Sequence, residues 1–590
     1  MSEPFVFLDD SRREEARCRL FTDLVGTVVA REPAQVEPAL EALEAARRRG
    51  LFAAGYFAFE LGYALEPSLA GFIPGNRSIP LLWFGLFRTQ QGFAGAEADA
   101  WLSRHLRGRA YAGPLRLGET ENGYSKRFTQ VRDYILSGDV YQVNLTFPAR
   151  FAFAGDPLAL YARLRGRAQA GLGAFVYDGA RSILSFSPEL FFSIESGVLT
   201  SRPMKGTAPR GSDAQSDARI ADQLKTSEKD RAENLMIVDL IRNDVSRLTK
   251  TGSVRVEDLF AVETYPTVHQ MVSTVRGSLR DGVTPGDLVR ALFPCGSITG
   301  APKLRAIEII AELEKEPRGL YCGAIGVFAP EGTADFNVSI RTLTIEGREG
   351  RLGIGGRIVA DSKADAEFQE CLIKARFFEE GRPPLSLFET LGHTPLEGFV
   401  RGPLHLARLA RSAHEFGLGF DELAARRALN DAVANADGPL RVRLQLNEDG
   451  SFVAKAVPFV PPAANTVWTY QISSSRLQSA DALARHKTSW RAHYGEERAA
   501  ANQRGNDEVI YLNERDEVVE ASTTNVFVRR GGRLLTPADA CGPLDGCLRR
   551  ALLEVGECTQ AVLSVADLEA GEVYLGNSLR GLIRAVASRD

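Results

Sequence analysis

Long apolar runs, paired cysteines and a surplus of charge of either sign are missing from this sequence. No run approaches the roughly 20 residues that a membrane-spanning helix needs, so no membrane role is expected. A formal net charge of −4 over 590 residues leaves no basic footprint for nucleic acid or an anionic membrane surface. Small molecules or other proteins are the expected partners. The seven cysteines, Cys18, Cys295, Cys322, Cys371, Cys541, Cys547 and Cys558, include no C-x-x-C pair. An odd count without such spacing reads as reduced, mostly buried thiols in a reducing compartment. The acidic stretch Met1 to Glu15 lacks the apolar core of a signal peptide, so a cytoplasmic location is expected. What is present is ordinary globular composition, 44% hydrophobic and 25% charged, on a chain long enough for several domains.

From Phe5 to about Leu102, short apolar strands accompany a helix over Glu37 to Arg49, in which Leu40, Leu43 and Ala46 recur at helical spacing. Gly55 to Glu60 reads as a strand, Arg104 to Gly118 as a loop and Tyr124 to Leu136 as a helix. The clearest break is Glu379-Glu380-Gly381-Arg382-Pro383-Pro384, because Gly and paired Pro cannot continue the preceding helix. The expected organisation is a domain over 1–378, with an N-terminal subdomain 1–118 and a core 119–378, then a linker 379–384 and a domain over 385–590. The last opens with a strand at Leu385 to Thr390 and an amphipathic helix carrying Leu406, Leu409, Ala413 and Phe416 on one face.

The loop Arg202-Pro203-Met204-Lys205-Gly206-Thr207-Ala208-Pro209-Arg210-Gly211 holds one lysine between turn formers. Burial or neighbouring cations would keep part of it as neutral amine, which makes Lys205 a candidate nucleophile. Taken alone, a solvated loop lysine is the commoner outcome. Glu367, Glu370 and Lys374, at i, i+3 and i+7, share one face of a helix over Ala364 to Phe378. An ion-paired surface is the plainer reading of that face. Glu233 lies early in a helix over Asp230 to Leu248, with Ser227 and Asp230 placed for a capping box. If Glu233 and Glu370 converge, two carboxylates with waters suit Mg²⁺.

Cys295 to Lys303 sets glycines and hydroxyls before a helix with proline in its first turn, an arrangement that offers N–H groups to an anion. Its spacing is not that of a nucleotide P-loop. Gly353-Ile354-Gly355-Gly356 also bares amides, but Ile358 takes the third glycine position of G-x-G-x-x-G, so no dinucleotide site is expected. Arg341, in the strand-like Phe336 to Thr342, suits a bidentate grip on a carboxylate. Several anion sites beside a cation site fit a small polycarboxylate.

Ser187-Pro188-Glu189, Pro203-Met204-Lys205-Gly206-Thr207, the run Glu233 to Asp244, Ile298-Thr299-Gly300-Ala301-Pro302-Lys303 and Ile358-Val359-Ala360-Asp361-Ser362 together resemble the chorismate-utilising enzymes, over nearly all of residues 1 to 378. The resemblance implies an α/β (α+β) fold of layered antiparallel sheets with flanking helices, like that of anthranilate synthase component I. It implies that Lys205 adds at C2 of chorismate as the C4 hydroxyl leaves, that Glu189 protonates that hydroxyl, and that ammonia then adds at C4 and expels the lysine. Glu233 and Glu370 match Mg²⁺ ligands, with Glu367 as a water-mediated partner. Tyr321, Arg341, Lys374 and the amides of Gly355 and Gly356 match contacts to substrate carboxylates, and Thr299 and Gly300 join the substrate contacts. His269 matches an active-site histidine; by itself it would read as a packed core residue. Gln142 stands where water-adding members carry a lysine, which implies ammonia as nucleophile. Lys205 stands where anthranilate-forming members carry alanine, which implies the aminodeoxychorismate-forming branch, with anthranilate as the alternative product. Arg357 stands where a third small residue is expected. No cysteine sits in the G-x-C-x-G elbow of a glutaminase, so ammonia from solution or from a separate glutamine amidotransferase subunit is expected.

Leu387-Phe388-Glu389-Thr390, His405 to Leu409, His486-Lys487-Thr488, Glu520 to Phe527 and Leu575-Gly576-Asn577-Ser578 resemble the class IV pyridoxal-phosphate enzymes over 385–590, which implies a two-subdomain α/β fold. On that resemblance Lys487 carries pyridoxal 5'-phosphate and then shuttles a proton, and Glu520 pairs with the pyridine nitrogen. Arg408, the turn at Gly546 and Cys547, and Asn577 with Ser578 match phosphate contacts. Alone, Lys487 beside Arg485 and His486 would read as an exposed cation. Within the class the resemblance is to the lyases that release pyruvate from aminodeoxychorismate and leave 4-aminobenzoate, for folate synthesis. An aminotransferase or a silent module forming a homodimer are the alternatives. Asp545, in Pro543-Leu544-Asp545-Gly546, is a departure expected to set a negative charge near the phosphate.

Overall fold

The computed structural model describes residues 3–11, 18–168, 170–265 and 268–588. Part of the stretch Met1 to Glu15, and Pro266-Thr267 ahead of His269, lie outside them. The chain divides into two units, one of Met1–His105, Pro114–Phe151 and Tyr161–Glu380, the other of Leu106–Gly113, Ala152–Leu160 and Gly381–Asp590.

In the first unit antiparallel pairing can be followed from strand to strand. Met204–Pro209 and Arg255–Thr264 both pair with Val268–Ser278, which pairs with Val198–Arg202 and so, through Leu190–Glu195, with Ala334–Val338. Ala324–Phe328, Phe52–Phe57, Leu82–Phe93, Cys18–Ala30 and Phe5–Asp9 continue the series. Leu172–Tyr177, Ser182–Ser187, Thr342–Glu346 and Glu349–Ile358 close it. Phe5–Asp9 is buried along its whole length, as expected of a strand covered on both faces. Phenylalanines hold the sheet interior: the rings of Phe328 and Phe336 are 4.7 Å apart and those of Phe57 and Phe84 4.8 Å. Burying each such side chain contributes about 1.5–3 kcal/mol.

Helices form at Val36–Arg48, Glu121–Leu136, Glu228–Ser246 and Ala364–Glu379. Ser227 caps the third, its side chain accepting from Asp230 N at 3.3 Å. Four segments differ from the sequence reading. The strand expected over Gly55 to Glu60 is Phe52–Phe57, because the chain leaves the sheet there and the Glu60 carboxylate turns to accept Gly319 N–H at 3.2 Å. Arg104 to Gly118 contains two short strands, Ala110–Ala112 and Arg116–Leu117. Phe336 to Thr342 is not one strand: pairing stops at Val338 and resumes at Thr342, with Arg341 between them at φ 50°. Gly353 to Gly356 lies inside the strand Glu349–Ile358.

The second unit has two sheets. The smaller orders Gly398–Phe399, Ser386–Thr394, Leu440–Asn447 and Phe452–Pro458 antiparallel. Helix Gly402–Glu415 buries Leu406, Leu409 and Ala413 in the same core as Leu387, Leu391, Val442 and Leu444. Tyr111 and Ala154 belong to that core too, which is why 106–113 and 152–160 group with this unit and not with the domain assigned to 1–378. The larger sheet has eight strands in mixed pairing, with Val467–Leu477 parallel to both Glu508–Asn513 and Gly581–Ala587.

Candidate active site

Lys205 lies on the strand Met204–Pro209, not in a free loop. Register slips between Met204 and Thr207, and Gly206 has φ 81°. A bulge of this kind re-aims a side chain. A Cβ on Gly206 would lie 3.0 Å from Asp230 Oδ1, so the positive φ and the close helix together favour glycine here. Lys205 Nζ donates to the carbonyl of Ser297 at 2.8 Å. Burial, opposed by Glu189 and aided by Arg357 and Lys374, lowers its pKa to about 8. Glu189 is 5% exposed, and burial raises its pKa against the pull of Lys205 and of the Ser297 hydroxyl. Its backbone is fixed by the preceding motif, since Ser187 Oγ accepts Glu189 N–H at 3.2 Å and donates to Val338 O at 2.6 Å. Glu189 Oε1 has no hydrogen-bond partner. A lysine with a lowered pKa and a carboxyl with a raised one are thus joined through Ser297, which sequence reasoning missed.

Gln142 is fully buried, with neither Oε1 nor Nε2 hydrogen-bonded. Its neighbour across the short pairing is Gly300–Ala301, where a Cβ on Gly300 would come within 2.2 Å of Gln142 O. Thr299 spends its hydroxyl on Cys295 O at 3.2 Å and Gly296 O at 3.3 Å. The helix expected after this segment begins at Lys303, with Pro302 at its N-cap and not in its first turn, and Gly300–Ala301 ahead of it form a two-residue strand.

Arg341 has no side-chain partner among the described residues, and burial alone lowers its pKa. A largely desolvated guanidinium without a side-chain partner suits a bidentate grip on an anion. The Tyr321 ring packs on Gly353, where a Cβ would fall 2.1 Å from its Cγ; both line a cavity of about 430 Å³. Lys374 Nζ donates to Gly355 O at 3.1 Å and pairs with Glu370 at 2.9 Å. Gly356 leaves room beside it, for a Cβ there would meet Glu367 Oε2 at 3.5 Å and Lys374 Nζ at 3.6 Å.

The carboxylates named as cation ligands share one electrostatic environment. Burial raises the pKa of Glu233 against Arg357, and that of Glu367 against Ser362, whose hydroxyl donates to it at 2.7 Å. At Glu370 burial raises the pKa, but Lys374, Arg357 and Lys205 together outweigh it and the pKa falls. Neither Glu233 oxygen receives a hydrogen bond of ordinary geometry. Glu233, ion-paired with Arg357 but accepting no hydrogen bond, and Glu370 suit a hard cation such as Mg²⁺ in donor type, whereas the group of three whose ligand atoms all lie within 4.8 Å of one another among the described residues is Glu389, His405 and Cys547. Arg357, in place of the expected small residue, points inward onto Glu233. His269 is not brought to this group by its hydrogen bonds: its ring nitrogens bond Asp217 at 2.8 Å and Thr264 at 2.9 Å.

In the second unit Lys487 is pinned through its backbone, its carbonyl accepting Phe388 N–H at 3.0 Å, and its Nζ lies 5.3 Å over the Phe388 ring. Burial, with Arg408 adding to it and Glu389 opposing, lowers its pKa to about 8. Glu520, 1% exposed, accepts from Arg491 at 2.7 Å, Tyr494 at 2.8 Å and Leu544 N at 3.0 Å. Arg408 forks onto Glu389 and donates to Asp545 O at 2.9 Å, so the hydrogen bonds it makes here go to the protein. Gly546 must be glycine, because a Cβ would lie 1.8 Å from Asn525 Oδ1. It caps the helix Cys547–Glu554. Burial, opposed by Arg408, raises the Cys547 thiol to about 11. Asn577 spends its side chain on Leu579 N, Arg580 N and Thr523 O.

The hydroxyls of Ser578 and Thr524 are buried and unpartnered, and the pairing of Asn525 with Gly576 puts them at one end of two adjacent strands. Two orphan hydroxyls, a helix start and a lysine with a lowered pKa fit a phosphate-bearing carbonyl cofactor. Thr524 was missed; its signal was the hydroxyl run Ser522-Thr523-Thr524. Arg443 lies 3.8 Å over the same Phe388 ring that Lys487 Nζ lies over. The charge expected of Asp545 near the phosphate is turned away, onto Arg411 and Arg550.

Residues 3–380 match the family model of the chorismate binding enzymes, and the chain belongs to that family. Residues 386–587 match amino-transferase class IV. Two curated relatives are aminodeoxychorismate synthase component 1 of Salmonella typhimurium, 48% identical over 253 residues, and that of Escherichia coli, 46% identical over 255. The matches cover 42% and 43% of this chain, and the chain spans 55% and 56% of those relatives, about half their length. Anthranilate synthase component I of Streptococcus pneumoniae is similar in structure, with a TM-score of 0.53 and 25% identity over 61% of this chain and 92% of that one. No helix among the described residues is long and apolar enough to cross a membrane.

Proposed function

We propose that the chain makes 4-aminobenzoate from chorismate in two steps, amination in the first unit and elimination of pyruvate in the second. The observation that carries the reading is the Lys205–Ser297–Glu189 arrangement. The Lys205 lone pair attacks C2 of chorismate, the ring double bond shifts, and the C4–O bond breaks as Glu189 gives its proton to the departing hydroxyl, releasing water. Ammonia then forms a bond at C4, the double bond shifts back and the C2–N bond to Lys205 breaks. Arg341, Tyr321, Lys374 and the Gly355–Gly356 backbone hold the substrate carboxylates. Glu233 and Glu370, with Glu367 through water, would hold Mg²⁺, which supplies positive charge to a substrate carboxylate. The unpaired amide of Gln142 gives ammonia a polar neighbour. A separate glutamine amidotransferase supplies the ammonia.

Pyridoxal 5'-phosphate supplies an electron sink to the second unit. Lys487 would carry it and move the substrate proton, Glu520 would hold its ring nitrogen, and Thr524, Ser578 and the helix start at Cys547 would hold its phosphate, with Arg408 behind them. Arg443 faces the substrate carboxylate. A homodimer through this unit is part of the reading.

The test supplies the full chain with chorismate, Mg²⁺, pyridoxal phosphate and ammonium salt, and resolves the products by chromatography. 4-Aminobenzoate with pyruvate is the expected result. Aminodeoxychorismate alone would mean a silent second unit, and anthranilate would overturn the assignment drawn from Lys205.

A further inference from the structure

Arg357 follows Gly355 and Gly356 on the strand Glu349–Ile358, and its guanidinium lies against Glu233 Oε2. Its charge also acts on Glu367 and Glu370, and beyond them on Asp361, Lys205 and Lys229. Each of the three carboxylates already has a protein partner: Arg357 for Glu233, Lys374 for Glu370 at 2.9 Å and the Ser362 hydroxyl for Glu367 at 2.7 Å. Two of these partners are cations, which together carry the charge of one divalent ion. The Arg357–Glu233 contact is an ion pair, and neither carboxylate oxygen accepts a hydrogen bond.

We propose that Arg357 is a built-in competitor for the divalent cation, holding Glu233 until the cation takes that carboxylate and releases the guanidinium. The inference rests on the reading of Glu233 and Glu370 as cation ligands. Competition of this kind weakens apparent affinity by the fraction of molecules in which Glu233 is free. The released guanidinium then stands beside Lys205 and Lys374 as a further positive charge for an anionic substrate, so the cation would prepare the site that receives the anion.

The test uses Mn²⁺ as the probe, followed by electron paramagnetic resonance on the full chain without substrate at pH 8. Arg357→Ala is expected to bind Mn²⁺ about tenfold more tightly than the parent chain, Arg357→Lys to fall between them, and Glu233→Gln to lose the tight site in either background. Arg357→Gln keeps polar bulk and serves if the alanine variant fails to fold. Equal or weaker binding by the alanine and glutamine variants overturns the inference alone. No Mn²⁺ binding by the parent chain or by either variant overturns both the inference and the ligand reading beneath it.

Discussion

Asp545 Oδ2 accepts a hydrogen bond from Arg411 at 3.0 Å, across 134 residues of sequence. Arg550 completes the grip, its Nε reaching Oδ1 at 3.2 Å. The Asp545 backbone carbonyl meanwhile accepts from Arg408. The aspartate therefore acts as a tie between two arginines and a turn, and not as a repulsive charge. Asp545→Asn should weaken cofactor binding two- to fivefold, since partly exposed pairs contribute about 0.2–1 kcal/mol each. Titration of the apo chain with pyridoxal phosphate, read by absorbance, checks this; tighter binding by the variant would restore the repulsion argument.

Lys205 should lose its proton near pH 8, because burial lowers its pKa to about that value. An amine-directed reagent should label it with an inflection near pH 8, well below surface lysines, as mass spectrometry of the labelled peptide would show. Lys205→Ala should abolish aminodeoxychorismate formation. Full retained activity would refute the covalent role.

Gln142 carries an amide with no partner at either end. A buried unsatisfied polar group costs about 1–3 kcal/mol. Gln142→Met should accordingly raise the thermal midpoint while lowering ammonia-dependent turnover. A variant that is less stable would mean that the amide is satisfied in solution.

Lys487, like Lys205, has its folded pKa depressed to about 8. Between that value and the ordinary lysine range the unfolded chain binds more protons than the folded one, so stability of the apo protein should rise with pH across this window. Lys487→Met should flatten the rise in the second unit, as denaturant midpoints measured at several pH values would report. The same substitution should remove the visible absorbance of the reconstituted chain.

Contiguous motifs made much of this molecule legible. The helix carrying Glu367, Glu370 and Lys374, the strand of Phe388 and the break after Glu379 were visible because each depends on residues close in sequence. The missing parts depend on distant partners. Nothing near His269 announces that Asp217 takes one of its nitrogens, and nothing near Arg357 announces Glu233, which precedes it by more than a hundred residues. Gly55 to Glu60 was misread for the same reason, since the carboxylate that ends the strand answers to Gly319. Lys205 was placed in a loop because a bulged strand and a turn share the same Gly and Pro vocabulary.

The core of the second unit takes Tyr111 and Ala154 from far upstream in the chain, and Tyr111 sets its ring 5.2 Å from that of Phe416. A gene cut at the proline pair would divide the sequence where it looks separable and leave the downstream product with a hole where an aromatic belongs. In inheritance as in the laboratory, the two halves of the sequence are not interchangeable cassettes: a replacement for the second would have to fit a tyrosine that lies upstream of the break.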